Sequence, residues 1–412
     1  MKTKLIALLL LMILGPGIAM GGPFLTGNWN GARQRAHDAG IDFFGSYATD
    51  FAANPIGGQS QGWTCPGSFD AAVSFNLEKI SRIGGCSLYN SISWRYGNSL
   101  SSEYIDNEFP VQQVYGGQTF HLAELYLQES LFDQSLTIKL GRLCGGNDFL
   151  ASPIYLRYVT DAININPISI VYNAFFSTYP FATWGAYLDF QIGSYLFKFG
   201  AYNTNVSIWK NKFHGANFTF DSQQGLFLIT EWAYLFKSLH GLKGHYKIGG
   251  YTITGQNDHR TNGSVPSNYG MYFLFDQMFY VHDLRTDQGL TGWGAFLYAP
   301  ADRNEFPFFF ALGLVDEGLI QSRPHDALCL AVAYGHYSSQ LNNSEVLHLR
   351  QKLFGPLDLR SKGAETQIEL NYWLQATPWF ALTPVVQYII NPKGYGTIKN
   401  AFVTGIQIEL DL

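Results

Sequence analysis

The stretch Phe402-Val403-Thr404-Gly405-Ile406-Gln407-Ile408-Glu409-Leu410-Asp411-Leu412 closes the chain. Read with a period of two, it puts Phe402, Thr404, Ile406, Ile408, Leu410 and Leu412 on one face. Val403, Gly405, Gln407, Glu409 and Asp411 fall on the other, so one side is oily and the other wet. A helix would mix these two sets around its circumference, whereas a strand separates them cleanly. The same design recurs upstream. In 365–376, Ile368, Leu370, Tyr372 and Leu374 oppose Gln367, Glu369, Asn371, Trp373 and Gln375, and in 122–131 Leu125 and Leu127 oppose Glu124, Tyr126 and Gln128.

Extending that parse predicts strands at 41–52, 68–78, 86–96, 120–131, 135–143, 183–193, 195–204, 225–237, 244–254, 268–280, 290–299, 306–315, 326–336, 364–376, 380–389 and 400–412. Their lengths lie near the ~9–11 residues of a tilted membrane strand, and an even total puts both chain ends on one side. The connections alternate between tight (132–134, 193–194, 377–379) and long (144–182, 205–224, 337–363), as short periplasmic turns and long external loops would. Two connections break the alternation, a short outer one at 300–305 and a longer inner one at 316–325. The fold class expected is all-β: a transmembrane antiparallel barrel of about 16 strands with long external loops. A short helix within 27–40 is expected to end at Gly40, in the periplasm or the barrel mouth.

The composition agrees. Hydrophobic residues make up 47%, aromatics 16% and charged residues 14%, too little charge for an ordinary soluble surface. Mean hydropathy is only -0.02, so the apolar residues are interleaved with polar ones rather than gathered into membrane helices. Lys2 and Lys4 precede an apolar run from Leu5 to Leu14 and a small-residue stretch, which reads as a secretory signal peptide over 1–19 with cleavage near Ala19. Residues 20–40 then form a periplasmic segment and 41–412 one barrel domain. A net charge of -5 gives no basic excess for phosphate backbones, so nucleic acid is not an expected partner. Cys65, Cys86, Cys144 and Cys329 are too widely spaced for a metal site, and no cofactor motif is present. A bridge between Cys65 and Cys144, both in outer segments, is left open.

Sixteen strands enclose a water-filled lumen, and selectivity then requires a constriction. The connection 144–182 has the length and apolar content (Ile168, Val171, Phe175, Phe176) to fold inward, with a surface lid as the alternative. Strand parity turns Arg95, Glu124, Lys139, Asp189, Lys198, Glu231, Lys247, Asp276, Glu369, Glu409 and Asp411 toward the lumen, because charge facing lipid is costly. Both signs are present, and together they donate to and accept from sugar hydroxyls, while Trp373 can cover a ring face. Arg95 and Glu124, on neighbouring strands, lead this set. Arg142 and Asp148 join it at the entry to the long loop, although Arg142 needs a bulge to point inward. The bland reading of each charge is a solvated wall residue or an ion pair within the barrel.

Several segments, in order, carry a resemblance: LTGNWNGAR at 25–33, VQQVYGGQTFHLAELYLQ at 111–128, IKLGRLCGGNDFLASPIY at 138–155, STYPFATWGAYLDF at 177–190, GHYKIGGY at 244–251 and YGMYFLFDQMFY at 269–280. LTGWGAFLYAPADRNEFPFFFALGLVDEGLIQSRPHDALCLAVAYG at 290–335 and ATPWFALTPVVQYIINPKG at 376–394 follow. The chain resembles the carbohydrate-selective porin family, OprB type, over nearly all of the sequence after residue 19. The resemblance implies an outer-membrane barrel that passes glucose and related sugars by facilitated diffusion, with an inward loop and a charged eyelet. It places Arg95, Glu124, Arg142 and Asp148 inside matching motifs. The family's long loop commonly holds a cysteine pair where this sequence, around Tyr155 to Ile165, has none, and the chain ends in Leu412 rather than an aromatic. A homotrimer is compatible with wide porins. The competing readings are a general diffusion porin, a plugged structural barrel, and a barrel enzyme. The enzyme would need serine, histidine and a carboxylate together, and His121, His245 and His336 show no such grouping with serine motifs.

Overall fold

The computed structural model describes residues 22–116, 118–220, 225–237, 242–254, 267–283, 288–341 and 363–412. The signal-peptide segment and most of the 337–363 connection therefore lie outside the described residues.

Sixteen antiparallel strands, with one additional two-residue strand, close into a barrel. In chain order they are β1 Ile41–Gly58, the short β2 Trp63–Thr64, β3 Gly67–Asn76, β4 Cys86–Tyr96, β5 Phe120–Leu131, β6 Leu136–Leu143, β7 Thr183–Ile192, β8 Tyr195–Asn203 and β9 Leu226–Lys237. Then come β10 Lys243–Ile253, β11 Asn268–Asp283, β12 Gln288–Tyr298, β13 Phe308–Glu317, β14 Ala327–His336, β15 Ala364–Thr377, β16 Phe380–Ile390 and β17 Lys399–Asp411. Thr49 of β1 faces Gly67 of β3 on one side and Ile408 of β17 on the other, which closes the ring and leaves no free edge. The alternation read in the sequence holds around the ring. Leu127, Leu140, Phe199, Trp232, Ile248, Met271 and Leu330 are exposed on the outside, while Glu231, Glu369 and Gln387 are buried within.

One strand differs substantially from its expected bounds. The first strand was expected to end at residue 52, yet β1 continues through Asn54-Pro55 to Gly58. The pairing with β17 shifts register twice between Ala53 and Gly58, which accommodates Pro55, a residue without an N–H to donate. Gly57 adopts φ +77, and a Cβ there would lie 1.8 Å from the Asn400 carbonyl oxygen, so only glycine fits.

The N-terminal helix α1 spans Ala32–Asp38, and Gly40 follows it at φ +88. This segment rests on the seam where the first and last strands meet. Leu25 N donates to Asp411 O (2.8 Å), Arg33 Nη2 donates to Leu412 O (2.7 Å), and the Arg33 guanidinium packs over Phe24 and Trp29. A short helix α2, Leu77–Ser81, fills the β3–β4 turn. The cysteines are all unpaired: Cys144 is buried at the root of the long loop and Cys65 is exposed on the outer side, so the bridge considered between them does not form.

The 144–182 connection does fold into the barrel, carrying the short helix α3, Ser169–Asn173. It packs Phe149, Leu150, Tyr155, Tyr158, Ile163 and Phe176 against inward residues of the wall, among them Tyr202, Phe227, Trp293, Phe309, Ala327 and Ala331. Each such buried side chain contributes about 1.5–3 kcal/mol, so a lid held in solvent would forgo its main stabilisation. A second inward connection, 97–119, was not anticipated. Leu100, Ile105, Phe109, Val111 and Val114 are buried, and Gln113 N and Asp161 N exchange hydrogen bonds with Val159 O and Pro110 O, so the two loops pack as one body. Phe109 approaches the wall at Gly335, where a Cβ would meet its ring at 2.4 Å.

Candidate functional site

The inward loops fill one side of the lumen and leave a passage along the other. That passage is a cavity of about 570 Å³ between the β17, β1, β3, β4 and β5 wall and the loops. Arg95, Glu124, Asp70, Glu409, Asp411 and Trp373 line it from the wall, and Gln113, Asn147, Asn164, Ile165, Leu156 and Tyr179 line it from the loops.

Around Arg95 and Glu124 the geometry is specific. A bulge at Ala123 in the β4–β5 pairing keeps both His121 and Glu124 turned inward. Glu124 accepts from Cys144 N (2.9 Å) and Asn147 Nδ2 (3.0 Å), so it both anchors the root of the loop and faces the passage. Arg95 is 7% exposed, makes no side-chain hydrogen bond or ion pair with any described residue, and its Nε is buried without a partner. Its guanidinium sits 5.9 Å from the ring centroid of Tyr179. Tyr179 crosses to the wall, where its hydroxyl donates to Asp70 Oδ1 (2.8 Å), and Ser68 Oγ donates to Asp70 Oδ2 (2.7 Å). An unpaired cation, two carboxylates, three side-chain amides and an aromatic ring therefore converge on one passage.

Other charges nominated by parity have a different task. Lys139 Nζ donates to Asp148 Oδ1 (2.6 Å), Lys198 Nζ donates to Asp148 O (2.6 Å) and pairs with Glu231 (3.0 Å), and Lys247 Nζ donates to Ala151 O (2.7 Å). Glu231 Oε2 accepts from Leu150 N (3.1 Å). On the opposite wall the Glu369 carboxylate accepts from Val159 N and Thr160 N (both 2.8 Å), and Glu365 accepts from Phe109 N (2.7 Å) and Glu108 N (2.9 Å). These groups grip the loops from both sides. Burial raises the Asp148 carboxyl from its ordinary value, and the Lys139 and Lys198 charges oppose that rise.

Lys139, Asp148, Glu231 and Glu369 are thus placed as loop anchors outside the cavity lining, and Asp276 is paired with His245 (2.6 Å), also outside it. The bulge expected to turn Arg142 inward is absent. The β6 register runs unshifted through Arg142 against both neighbours. Its guanidinium is taken up by loop carbonyls, Ala182 O at 2.7 Å and Asn217 O at 2.5 Å, and packs on Phe218. Trp373 lines this cavity and is shared with a second one. Asp70 and Tyr179 were missed. Asp70 shares inward parity with Ser68 on a predicted strand and was legible, whereas the reach of Tyr179 depends on how the loop folds.

A model of the carbohydrate-selective porin, OprB family, matches residues 61–412. The chain is 26% identical to porin B of Pseudomonas aeruginosa over 94% of this chain and 90% of that protein. It is 24% identical to the putative porin QuiX of Acinetobacter baylyi, over 94% and 93% of the two chains. The high-pH structure of Pseudomonas putida OprB superposes with a TM-score of 0.83 at 24% identity, covering 95% of this chain and 99% of that one, which supports the fold. With the described barrel, these matches make the protein a porin of the bacterial outer membrane, and the chain belongs to the carbohydrate-selective porin family, OprB type.

Proposed function

We propose that this barrel passes glucose and related small neutral sugars by passive, facilitated diffusion, with the narrow part between Arg95, Glu124, Asp70 and Tyr179 acting as the selecting constriction. The observation that carries this reading is Arg95, more than nine-tenths buried and lining the passage with no hydrogen-bond or ion-pair partner among the described residues. Leaving a buried cation unpaired is unfavourable, and solute or water oxygens satisfy it. A neutral sugar supplies hydroxyl acceptors to Arg95 and hydroxyl donors to Glu124 and Asp70 at once. The apolar exterior is read as the lipid-facing surface.

The test uses purified protein in liposomes. Glucose is expected to enter faster than an amino acid of similar size, and Arg95→Ala is expected to erase that preference while ionic conductance persists. Equal entry of both solutes into wild-type liposomes reduces the protein to a general diffusion porin. Unchanged sugar preference in the variant removes Arg95 from the constriction.

A further inference from the structure

Beyond the narrow part, on the side of the short turns, a second cavity of about 520 Å³ adjoins the first and shares Trp373, Glu409 and Asp411 with it. Arg157, Gln375 and Trp379 complete the walls that matter here. We propose that this periplasmic exit is a second sugar-binding subsite, which receives the solute after the constriction; the proposal rests on reading the barrel as a sugar channel.

Three features argue for it. Two indole rings, Trp373 and Trp379, present flat apolar surface of the kind that covers the C–H face of a pyranose. Polar groups of both kinds are unclaimed beside them. Arg157 gives one hydrogen bond, to Glu317 (3.2 Å), out of the five N–H donors a guanidinium carries. Glu409 and Asp411 form no side-chain hydrogen bond or ion pair with the described residues. The arrangement is also held in place. Trp373 Nε1 donates to Gln375 Oε1 (3.0 Å), Gln375 Nε2 donates to Thr377 O (2.7 Å), and Gln375 N donates to Asp326 Oδ1 (3.0 Å). Arg157 is fixed over the Trp373 ring at 4.7 Å. A loose vestibule would not need its aromatic ring locked from the edge and from the face. Rigid aromatics flanked by a few placed polar groups are the usual build of a small-molecule site.

The substituents suit a neutral ring. A sugar bound here offers hydroxyls to Glu409 and Asp411 as donor and to Arg157 as acceptor, with water bridging wherever the ring falls short. An acidic solute would meet three carboxylates, Glu317, Glu409 and Asp411, against the one guanidinium of Arg157, so the subsite favours uncharged sugars over anionic ones.

The experiment is glucose block of ionic current through single channels in a planar bilayer, with glucose added on the periplasmic side. Wild type, Trp379→Ala and Asp411→Asn are compared, and heat-dependent mobility in gels confirms that each variant is a folded barrel. The half-blocking glucose concentration, read against each channel's own sugar-free current, is expected to rise about tenfold in either variant, equivalent to about 1.4 kcal/mol. Equal block in wild type and both variants overturns the exit subsite and leaves the sugar channel standing. A wild-type channel that glucose neither blocks nor crosses overturns the channel reading and this proposal with it. Asp411 is exposed, so Asp411→Asn remains decisive even where Trp379→Ala fails to fold.

Discussion

Tyr179 hydroxyl to Asp70 carboxylate, at 2.8 Å, is the contact by which the inner loop reaches across the lumen to the wall it faces. A hydrogen bond to a charged acceptor contributes about 1.5–3 kcal/mol, enough to set how closely the two sides approach. Tyr179→Phe keeps the ring beside Arg95 and removes only this bond. Larger single-channel conductance and weaker discrimination between glucose and larger sugars are expected; conductance equal to wild type would show that the contact does not set the aperture. Lys139 and Asp148 make a second case. Burial favours the neutral form of Asp148, and Lys139 opposes that effect. In Lys139→Met the carboxyl titrates at a higher pH than in wild type. Its unpaired charge destabilises the loop above that value, and the defect disappears as pH falls and the group protonates. The measurement is current noise and thermal unfolding across pH, and a defect that grows toward acid would reverse the assignment.

At the level of elements, the strands were legible because each one is a boundary between oil and water that writes itself into alternate residues. β4 and β5 fall at the bounds read from the sequence, 86–96 and 120–131. β1 overran because Asn54-Pro55-Ile56-Gly57-Gly58 carries turn chemistry that a doubly shifted register absorbs. The loops were less legible. Phe175 and Phe176 announced that 144–182 turns inward, but Phe109 and Val111 in 97–119 have no period to distinguish a buried loop from an exposed one. Arg142 was misplaced because a charge on the outward parity was assumed to be unaffordable there; carbonyls from 182 and 217 satisfy it without a bulge. The anchoring by β15 is testable. Glu369 accepts two loop amides with one carboxylate, and Glu369→Gln sets an amide N–H₂ against one of them. Faster cleavage of 144–182 by protease added from outside is expected, together with unfolding at lower temperature by several degrees, roughly the effect of losing 1–3 kcal/mol. Protection equal to wild type would place the grip elsewhere, on Glu365 or the lysines of β6, β8 and β10.

At the level of the whole molecule, the loops divide the barrel into a packed half and an open half, and the charges divide with them. Lys139, Lys198 and Lys247 are spent on the packed side, holding residues 148–151. The open side is left with Arg95 against Asp70, Glu124, Glu409 and Asp411. A passage whose walls carry one guanidinium and four carboxylates holds a negative potential, which concentrates cations and repels anions. Under a potassium chloride gradient the reversal potential is therefore expected to take the sign of cation selectivity. Raising ionic strength weakens the preference as the Debye length falls from about 10 Å at 0.1 M to about 3 Å at 1 M. Replacing Glu409 and Asp411 together by Gln and Asn brings the reversal potential toward zero, whereas Arg95→Ala moves it further from zero in the same direction. Anion selectivity in the wild-type channel would mean that ions follow a path other than the wall from β17 to β5, and the division of labour between the two halves would have to be redrawn.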